Sequence, residues 1–244
     1  MRVIRVMTYH VHQCRGADDR TDPDRVVEVI RRAAVDIVAL QDVNSVGHAG
    51  QLAYLASQLQ MEHHGGVRAG DNALLTRVPL RGVQQYQLGS GGYCQKADVD
   101  VAGQRLHLFN VRLTGGFFRY RAQTSNLFEE DLLGRHSACC PQLLVGDFAD
   151  SLAATLLFTW PGALRRTPRP FWSATYPARF PLLSRDRGYC RGGLRILDCA
   201  VQHGSLAREA STHLPVCFSV QLTDTRQTLQ VKGIKRRPME TVPG

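Results

Sequence analysis

The sequence predicts a mixed α/β (α+β) fold in which mixed β-sheets carry helices on their outer faces. Two amphipathic helical patterns alternate with strand patterns in residues 1–59, whereas successive short strands separated by turn signals fill residues 72–113. A doubly wound parallel sheet would not contain such a meander, because crossover helices join its strands. The composition, 43% hydrophobic and 21% charged, is typical of a globular domain.

The first elements follow from periodicity and from helix start signals. Residues 2–9 predict a strand. Asp22 is a typical N-cap, and Pro23 occupies the first position of the predicted helix, where a missing backbone N–H costs nothing. The apolar run "DIVALQDV" (36–43) predicts a buried strand, and residues 49–59 predict a second amphipathic helix.

Short strands and their turns dominate the middle of the chain. The segment "VDVAGQRLHL" is typical of a β-hairpin. The patterns that follow predict a helix at about 118–133, the strand "QLLVG", a short helix, a loop rich in Pro and Arg (161–194), and strands near 196–202 and 215–222. No internal repeat or linker divides the chain, so we expect one domain over 1–222 and a basic tail over 223–244.

Several classes of protein are disfavoured by composition. No apolar run of 18 residues is present, so we predict no membrane span. The N-terminal stretch lacks the pattern of a signal peptide, which makes a cytoplasmic location the expectation. The seven cysteines are odd in number and contain no C-x-x-C motif, so we expect reduced, mostly buried thiols rather than a zinc site.

The net charge of +9 permits an anionic partner but does not identify one. Only three of the 30 basic residues are lysines, a bias that codon usage in a GC-rich genome explains equally well. The arginines are scattered rather than gathered in a stripe. A phosphate-containing ligand or an anionic polymer is compatible with this charge, and nucleic acid is left open as a partner.

Polar residues recur at the ends of the predicted strands. Taken singly, each has a structural explanation, such as a hydrogen bond to a loop amide. Together they indicate one concave site, since strand ends meet at one edge of a sheet. Carboxylates and amides there suit Mg²⁺ or Mn²⁺, and an imidazole opposite can stabilise charge on a phosphoryl group. The residues are His10, Asp42, Asn72, Asn110, Arg112, Asp147, Asp198 and His213.

The order of these motifs resembles the endonuclease/exonuclease/phosphatase superfamily, and the resemblance runs from residue 1 to about 222. The segments that carry it are "TYHVH" (8–12), "LQDV" (40–43), "DNALLTR" (71–77), "NVRL" (110–113), "RAQ" (121–123), "GDFA" (146–149), "ILDCAV" (196–201) and "STHLP" (211–215). The resemblance implies a DNase I-like fold of two packed mixed β-sheets flanked by helices, a four-layer α-β-β-α sandwich. It also implies an ancestry among metal-dependent phosphoric-ester hydrolases.

The resemblance assigns roles to seven residues of this chain. It implies a metal site at Asp42 and His10. It implies catalytic roles for Asp147, His213, Asp198, Asn72 and Arg112, while Asn110 and Arg121 also match the family's pattern.

Four positions depart from that pattern. His10 stands where the family has asparagine, Arg112 where it has histidine, Ala149 where it has asparagine, and Thr212 where it has the aspartate that orients the histidine. Losing one preorganised donor costs on the order of 10²–10³ in rate, and losing an orienting carboxylate costs ~10⁴ in a serine protease.

Three interpretations remain open from the sequence. The first is a pseudoenzyme, with weak or no hydrolysis, that serves as a binding domain. The second is an active Mg- or Mn-dependent phosphodiesterase or nuclease with a rebuilt site, in which His10, Asp42 and Asp147 hold Mn²⁺ or Zn²⁺. The third is a nucleic-acid or lipid-headgroup binder driven by arginine charge. Mg or Mn is the expected cofactor of an active enzyme, and the pseudoenzyme would need none.

Overall fold

Two six-stranded β-sheets pack face to face and carry helices on their outer faces. The structure, a computed structural model, describes residues 3–44, 50–66, 70–128, 132–133, 140–149, 164–168 and 172–223. Each sheet contains six strands. The four-layer mixed sandwich implied by the resemblance is confirmed.

The first sheet contains one parallel pair among antiparallel neighbours. Its strands are β1 (Val3–His10), β2 (Ile37–Val43), β3 (Glu62–Gly65), β4 (Asp71–Thr76), β11 (Leu194–Val201) and β12 (Val216–Leu222). They lie in the order β11-β12-β1-β2-β4-β3. Strands β1 and β2 run parallel, while β12 pairs antiparallel with β1 on the other side. The C-terminal ends of β1 and β2 therefore lie at one edge of the sheet.

The second sheet also contains one parallel pair among antiparallel neighbours. Its strands are β5 (Leu80–Gly89), β6 (Gly92–Val101), β7 (Gln104–Arg112), β8 (Gln142–Asp147), β9 (Arg165–Arg166) and β10 (Asp186–Arg191). They lie in the order β5-β6-β7-β8-β10-β9. Strands β6 and β7 form the predicted hairpin, whose turn residues Ala102 and Gly103 both have positive φ. Strands β7 and β8 run parallel, so their C-terminal ends also meet at one edge.

Four helices cover the outer faces in the described part of the chain. They are α1 (Pro23–Ala33), α2 (Gln51–Leu59), α3 (Phe117–Leu127) and α4 (Ser205–Ala210). Helix α1 begins as predicted: the Asp22 side chain accepts hydrogen bonds from the backbone amides of Asp24 and Arg25, which satisfies two unpaired donors.

Apolar side chains fill three layers, which explains the burial of both sheets. Between the sheets, residues such as Val6, Ile37 and Leu74 of the first pack against Leu108 and Val145 of the second. A second cluster lies under α1, α2 and α4, and a third lies under α3. Because β2, β4 and β8 are buried on both faces, their sequences are continuous apolar runs rather than alternating patterns.

The largest errors in the predicted elements fall in the C-terminal third. The predicted loop 161–194 is wrong for Asp186–Arg191, which forms strand β10 between β8 and β9, and for the short strand β9. Strand β3 and helix α4 were not predicted, and α3 ends at Leu127 rather than near 133. The short helix predicted after β8 and the tail over 224–244 lie outside the described residues.

Candidate phosphoester site

The edge where both parallel strand pairs end brings together residues from the two sheets. His10 ends β1, Arg112 ends β7 and Asp147 ends β8, and the last two are register partners. Five site residues predicted from the sequence meet here: His10, Asp42, Arg112, Asp147 and His213. Both sheets contribute residues to this edge.

Asp42 is aimed into the site by an irregularity in β2. The register with β4 shifts between Leu40 and Val43, and Asp42 has φ +58, in the left-handed region. A bulge of this kind redirects a side chain out of the strand's alternation. Aspartate tolerates this backbone conformation better than most residues, because its short polar side chain bonds locally.

His10 lies between the two buried carboxylates, with one ring nitrogen close to each. Its Nδ1 is 2.9 Å from Asp147 Oδ2, and its Nε2 is 3.6 Å from Asp42 Oδ2. Burial alone would lower the pKa of this imidazole, but the Asp147 and Asp42 carboxylates raise the pKa of His10 to about 9. The ring is therefore an imidazolium at neutral pH, and it bridges the two acids.

Two arginines cover the same carboxylates from the solvent side. Arg112 Nη1 donates to Asp42 Oδ1 at 3.4 Å and to the Gly70 carbonyl at 2.7 Å. Arg185 donates through Nε and Nη2 to both oxygens of Asp147, at 3.3 and 3.2 Å. The two arginine side chains are about one-fifth and one-quarter exposed, whereas Asp147 is 1% exposed.

These cations hold both carboxylates ionised. Burial would raise the pKa of Asp42, but His10 and Arg112 lower it to about 2. Burial would likewise raise the pKa of Asp147, yet His10, His213 and Arg185 keep it well below the usual range of a carboxyl group. The two acids are therefore paired anions at any pH above the acid range.

His213 has a buried carboxylate partner that the sequence did not reveal. Its Nδ1 lies 2.8 Å from Asp186 Oδ2, and both side chains are at most 3% exposed. The imidazole stacks on His10, with ring centroids 4.3 Å apart and an interplanar angle of 11°, and Tyr176 packs against it at 4.8 Å. The expectation that His213 lost its orienting acid through Thr212 is wrong, because Asp186 holds the ring.

A hydrogen-bonded platform of amides lies beneath the charged groups and ties the two sheets together. Asn110 of β7 donates to the carbonyls of Leu40 and Ala73 in the first sheet, at 2.9 and 3.0 Å. Gln41 donates to Asn110 Oδ1, and Asn72 donates to the Asn110 carbonyl. Asn72 and Asn110 thus lie directly under the site, where their amide groups fix the spacing between the strand ends.

In the loop after β8 the backbone still supports Asp147, but residue 149 is an alanine and has no polar side chain. The Ala149 amide donates to Asp147 Oδ1 at 2.9 Å, so the loop still supports that carboxylate. Ala149 has φ +34, a positive value that asparagine adopts more readily than alanine. Alanine here supplies no polar atom for a ligand.

Two of the residues carried over from the resemblance lie away from this cluster. Asp198 is exposed in β11 and pairs in register with Ser219, which in turn faces Arg5, five residues and about 17 Å of strand before His10. Arg121 is exposed on α3. The late-strand aspartate that the structure brings to His213 is Asp186, and Asp198 is not among the described hydrogen-bond partners of the site.

Sequence reasoning missed Asp186, Arg185 and Tyr176, all within the segment taken for a loop. The segments "TYP" (175–177) and "SRD" (184–186) precede a strand, and their polar character was the available signal. That signal was weak because β10 reads "DRGYCR", in which charged residues and glycine interrupt the apolar pattern expected of a central strand.

The donor set fits a hard divalent ion poorly, although one group of three residues lies within range. Ligand atoms of His10, Asp147 and His213 lie within 4.8 Å of one another. Mg²⁺ and Mn²⁺ prefer free oxygen ligands. Here Asp147 bonds Arg185 and faces His10, while Asp42 bonds Arg112 and also faces His10.

The described residues also form a cavity away from this cluster, and none of their helices could cross a membrane. A cavity of about 350 Å³ lies at the opposite end of the β6–β7 hairpin, lined by Arg81, Asp98 and Arg105 among others, and it includes none of the site residues above. Among the described residues, no helix has the length and apolar character needed to cross a membrane.

Comparison with known proteins identifies the lineage of this arrangement. The sequence model of the Endonuclease/Exonuclease/phosphatase family matches residues 9–219. A search of curated proteins finds no match.

Solved structures share the fold at low sequence identity. An endonuclease/exonuclease/phosphatase from Beutenbergia cavernae DSM 12333 is 21% identical, with a TM-score of 0.71 over 91% of this chain and 72% of that one. A family member from Bacteroides vulgatus is 14% identical, with a TM-score of 0.73 over 91% of this chain and 100% of that one. The D. rerio TDP2 complexed with single-strand DNA product is 14% identical, with a TM-score of 0.72 over 90% and 99% of the two chains.

Proposed function

Because the chain belongs to the Endonuclease/Exonuclease/phosphatase family, we propose that it binds a phosphate-containing ligand at this site and hydrolyses phosphodiesters weakly or not at all. The observation that carries the proposal is the pairing of both buried carboxylates with side-chain cations. Arg112 holds Asp42, and Arg185 holds Asp147 through two bonds. The acids that would draw a divalent ion into the site are already neutralised.

The same arginines favour an anionic ligand at the mouth. Arg112 uses Nη1 for both of its bonds, and neither its Nε nor its Nη2 bonds any described residue. A guanidinium offers five N–H donors in a planar fork that matches the spacing of phosphate oxygens. Because the arginine is partly exposed and always charged, it can take a phosphate without releasing Asp42.

Weak hydrolysis is expected from the groups that remain. Ala149 supplies no donor to a phosphoryl oxygen, and removing one such donor costs on the order of 10²–10³ in rate. The change at Thr212 does not add to this loss, because Asp186 supplies the carboxylate partner of His213.

Binding and cleavage are measured separately. We expect inorganic phosphate to bind in the presence of EDTA by isothermal titration calorimetry, and Arg112→Gln to weaken that binding about tenfold or more, the loss of one charged hydrogen-bonding pair. Arg105→Gln is the matched control, since Arg105 lies at the opposite end of the same strand. Efficient Mg²⁺- or Mn²⁺-dependent cleavage of bis(p-nitrophenyl) phosphate, abolished by Asp147→Ala, would contradict the proposal.

A second candidate, an active phosphodiesterase with a rebuilt site, is favoured by the intact Asp186–His213 pair. A buried carboxylate on Nδ1 fixes the tautomer and orientation of an imidazole, which leaves Nε2 to give or take a proton. If this candidate holds, Asp186→Asn lowers kcat by about 10²–10⁴ while phosphate affinity changes little. A protein without measurable cleavage before the substitution excludes it.

A further inference from the structure

We propose that the His10 ring and the Arg112 and Arg185 guanidinium groups take the place of a divalent ion in this site, so that the protein binds neither Mg²⁺ nor Mn²⁺ there. The inference rests on the proposed function only in taking this cluster as the family's phosphoester site. It extends that function by making the site independent of metal. Asp42 and Asp147, the carboxylates available to a metal, are held by the chain's own cations.

His10 occupies the place between the two acids where a divalent ion would have to bind. Its two ring nitrogens lie 2.9 Å from Asp147 and 3.6 Å from Asp42, so the ring spans the gap between the two carboxylates. A hard divalent ion binds oxygen ligands at about 2.0–2.6 Å and would have to lie in that gap. The ring is 7% exposed and is fixed on its other side by the stacked His213, so it cannot turn aside without leaving both acids.

Arg112 and Arg185 also compete with a metal for the carboxylates, because a guanidinium group is always charged. Arg112 contacts Asp42, and Arg185 forms a two-bond pair with Asp147. The third carboxylate near the site, Asp186, is engaged by His213. An added divalent ion would therefore meet positive charge on Asp42 and on Asp147. Of the third carboxylate, only Oδ1, a buried oxygen without a hydrogen-bond partner, is left to compensate that charge.

The orientation of the two histidine rings argues against a metal at the remaining group of ligands, His10, Asp147 and His213. The lone pairs of an imidazole lie in the plane of its ring. The His10 and His213 rings are within 11° of parallel at a centroid separation of 4.3 Å, so their in-plane directions run side by side rather than converging. His213 also directs Nδ1 at Asp186. The atoms of His10, Asp147 and His213 lie close together without facing one common point.

Mn²⁺ binding tests the inference directly, by the loss of the free-ion electron paramagnetic resonance signal and by calorimetry. We expect no saturable binding to the wild-type protein up to millimolar Mn²⁺. His10→Asn combined with Arg112→His removes the competing charge and restores the residues that the family pattern has at these positions. We expect this double variant to bind one Mn²⁺ at least tenfold more tightly than the wild-type limit, and to gain thermal stability from the ion.

Arg105→His is the matched control, because it makes the same change at the other end of β7, and we expect it to bind no Mn²⁺. Single His10→Asn carries the test if the double variant does not fold by circular dichroism, because it opens the gap between the two acids. One-site binding to the wild type that Asp42→Asn abolishes would overturn the inference, and so would a folded variant set that never binds the ion. Phosphate binding in EDTA is read independently, so its absence overturns the proposed function and not this inference.

Discussion

His10 occupies a position where a neutral side chain would leave two buried acids without a bridging partner. Asp42 and Asp147 are 6% and 1% exposed, and each has lost most of its hydration. Unpaired buried carboxylates are costly, so the imidazolium and the two arginines stabilise the fold as well as shaping the site. His10 and Arg112 thus both supply positive charge to Asp42, and His10 also lies beside Asp147.

Stability should fall as pH rises through the alkaline range. The pKa of His10 is about 9 in the folded protein, against 6.5 for a free imidazole. The charged ring therefore contributes fully below about pH 6.5, and its contribution is lost as the pH rises through about 9. The difference corresponds to on the order of 3 kcal/mol. Urea unfolding at intervals from pH 6 to 9.5 measures it.

Substitution distinguishes His10 from the other histidines. His10→Asn should be less stable than the wild type at pH 6 and should show little pH dependence over this range. His63→Asn, an exposed position in β3, should retain the slope of the wild type. A slope that survives in His10→Asn would assign the pH dependence to another group.

Strand β8 positions Asp147 through its close contact with β7. Gly146 sits where the two strands approach most closely, and a Cβ there would overlap the carbonyl oxygen of Val111. The glycine keeps the parallel register that sets Arg112 opposite Asp147. A residue that looks like a simple part of the "GDF" motif thus has a packing role one position before the carboxylate.

Gly146→Ala should destabilise the protein by several kcal/mol, roughly 2–4, because the clash involves backbone atoms that cannot move without separating β7 from β8. Gly115→Ala is the matched control, since nothing lies within 4 Å of a Cβ at that position. Chemical denaturation of both variants measures the difference. Equal stability of the two variants would show that the strand pair can widen at this point.

At the scale of the whole molecule, the site exists only because two sheets end at the same edge. His10 and Asp42 come from the first sheet, whereas Arg112, Asp147 and Asp186 come from the second. Asn110 holds the sheets at a fixed spacing by bonding to Leu40 and Ala73 across the interface. The last hydrogen bond of the described fold joins the Thr223 amide to the Gly193 carbonyl, just after β12.

We predict that residues 1–223 fold as one cooperative domain. β12, which ends at Leu222, pairs with both β1 and β11 and is the last strand of the first sheet among the described residues. A chain ending at 223 should melt in one transition, within a few degrees of the full-length protein, whereas a chain ending at 215 lacks β12 and should not fold. Thermal circular dichroism measures both. A noncooperative melt of the longer chain would contradict the domain boundary.

Several elements of the fold follow from local patterns in the sequence. The Asp22-Pro23 start of α1, the apolar runs of β2 and β8, and the "VDVAGQRLHL" hairpin depend on neighbouring residues, so they were predictable. So was the recurrence of polar residues at strand ends. The family's motif order then supplied the sandwich.

Only the tertiary structure decided which charges meet. Asp186 rather than Asp198 holds His213, and Arg185 holds Asp147, across 27 and 38 residues of chain. Such pairs depend on register between strands remote in sequence, and a shift of one residue sends a side chain to the opposite face. The sequence therefore determines the frame and the stock of polar groups, while the packing of one sheet on the other turns two acids that could hold a metal into acids held by histidine and arginine.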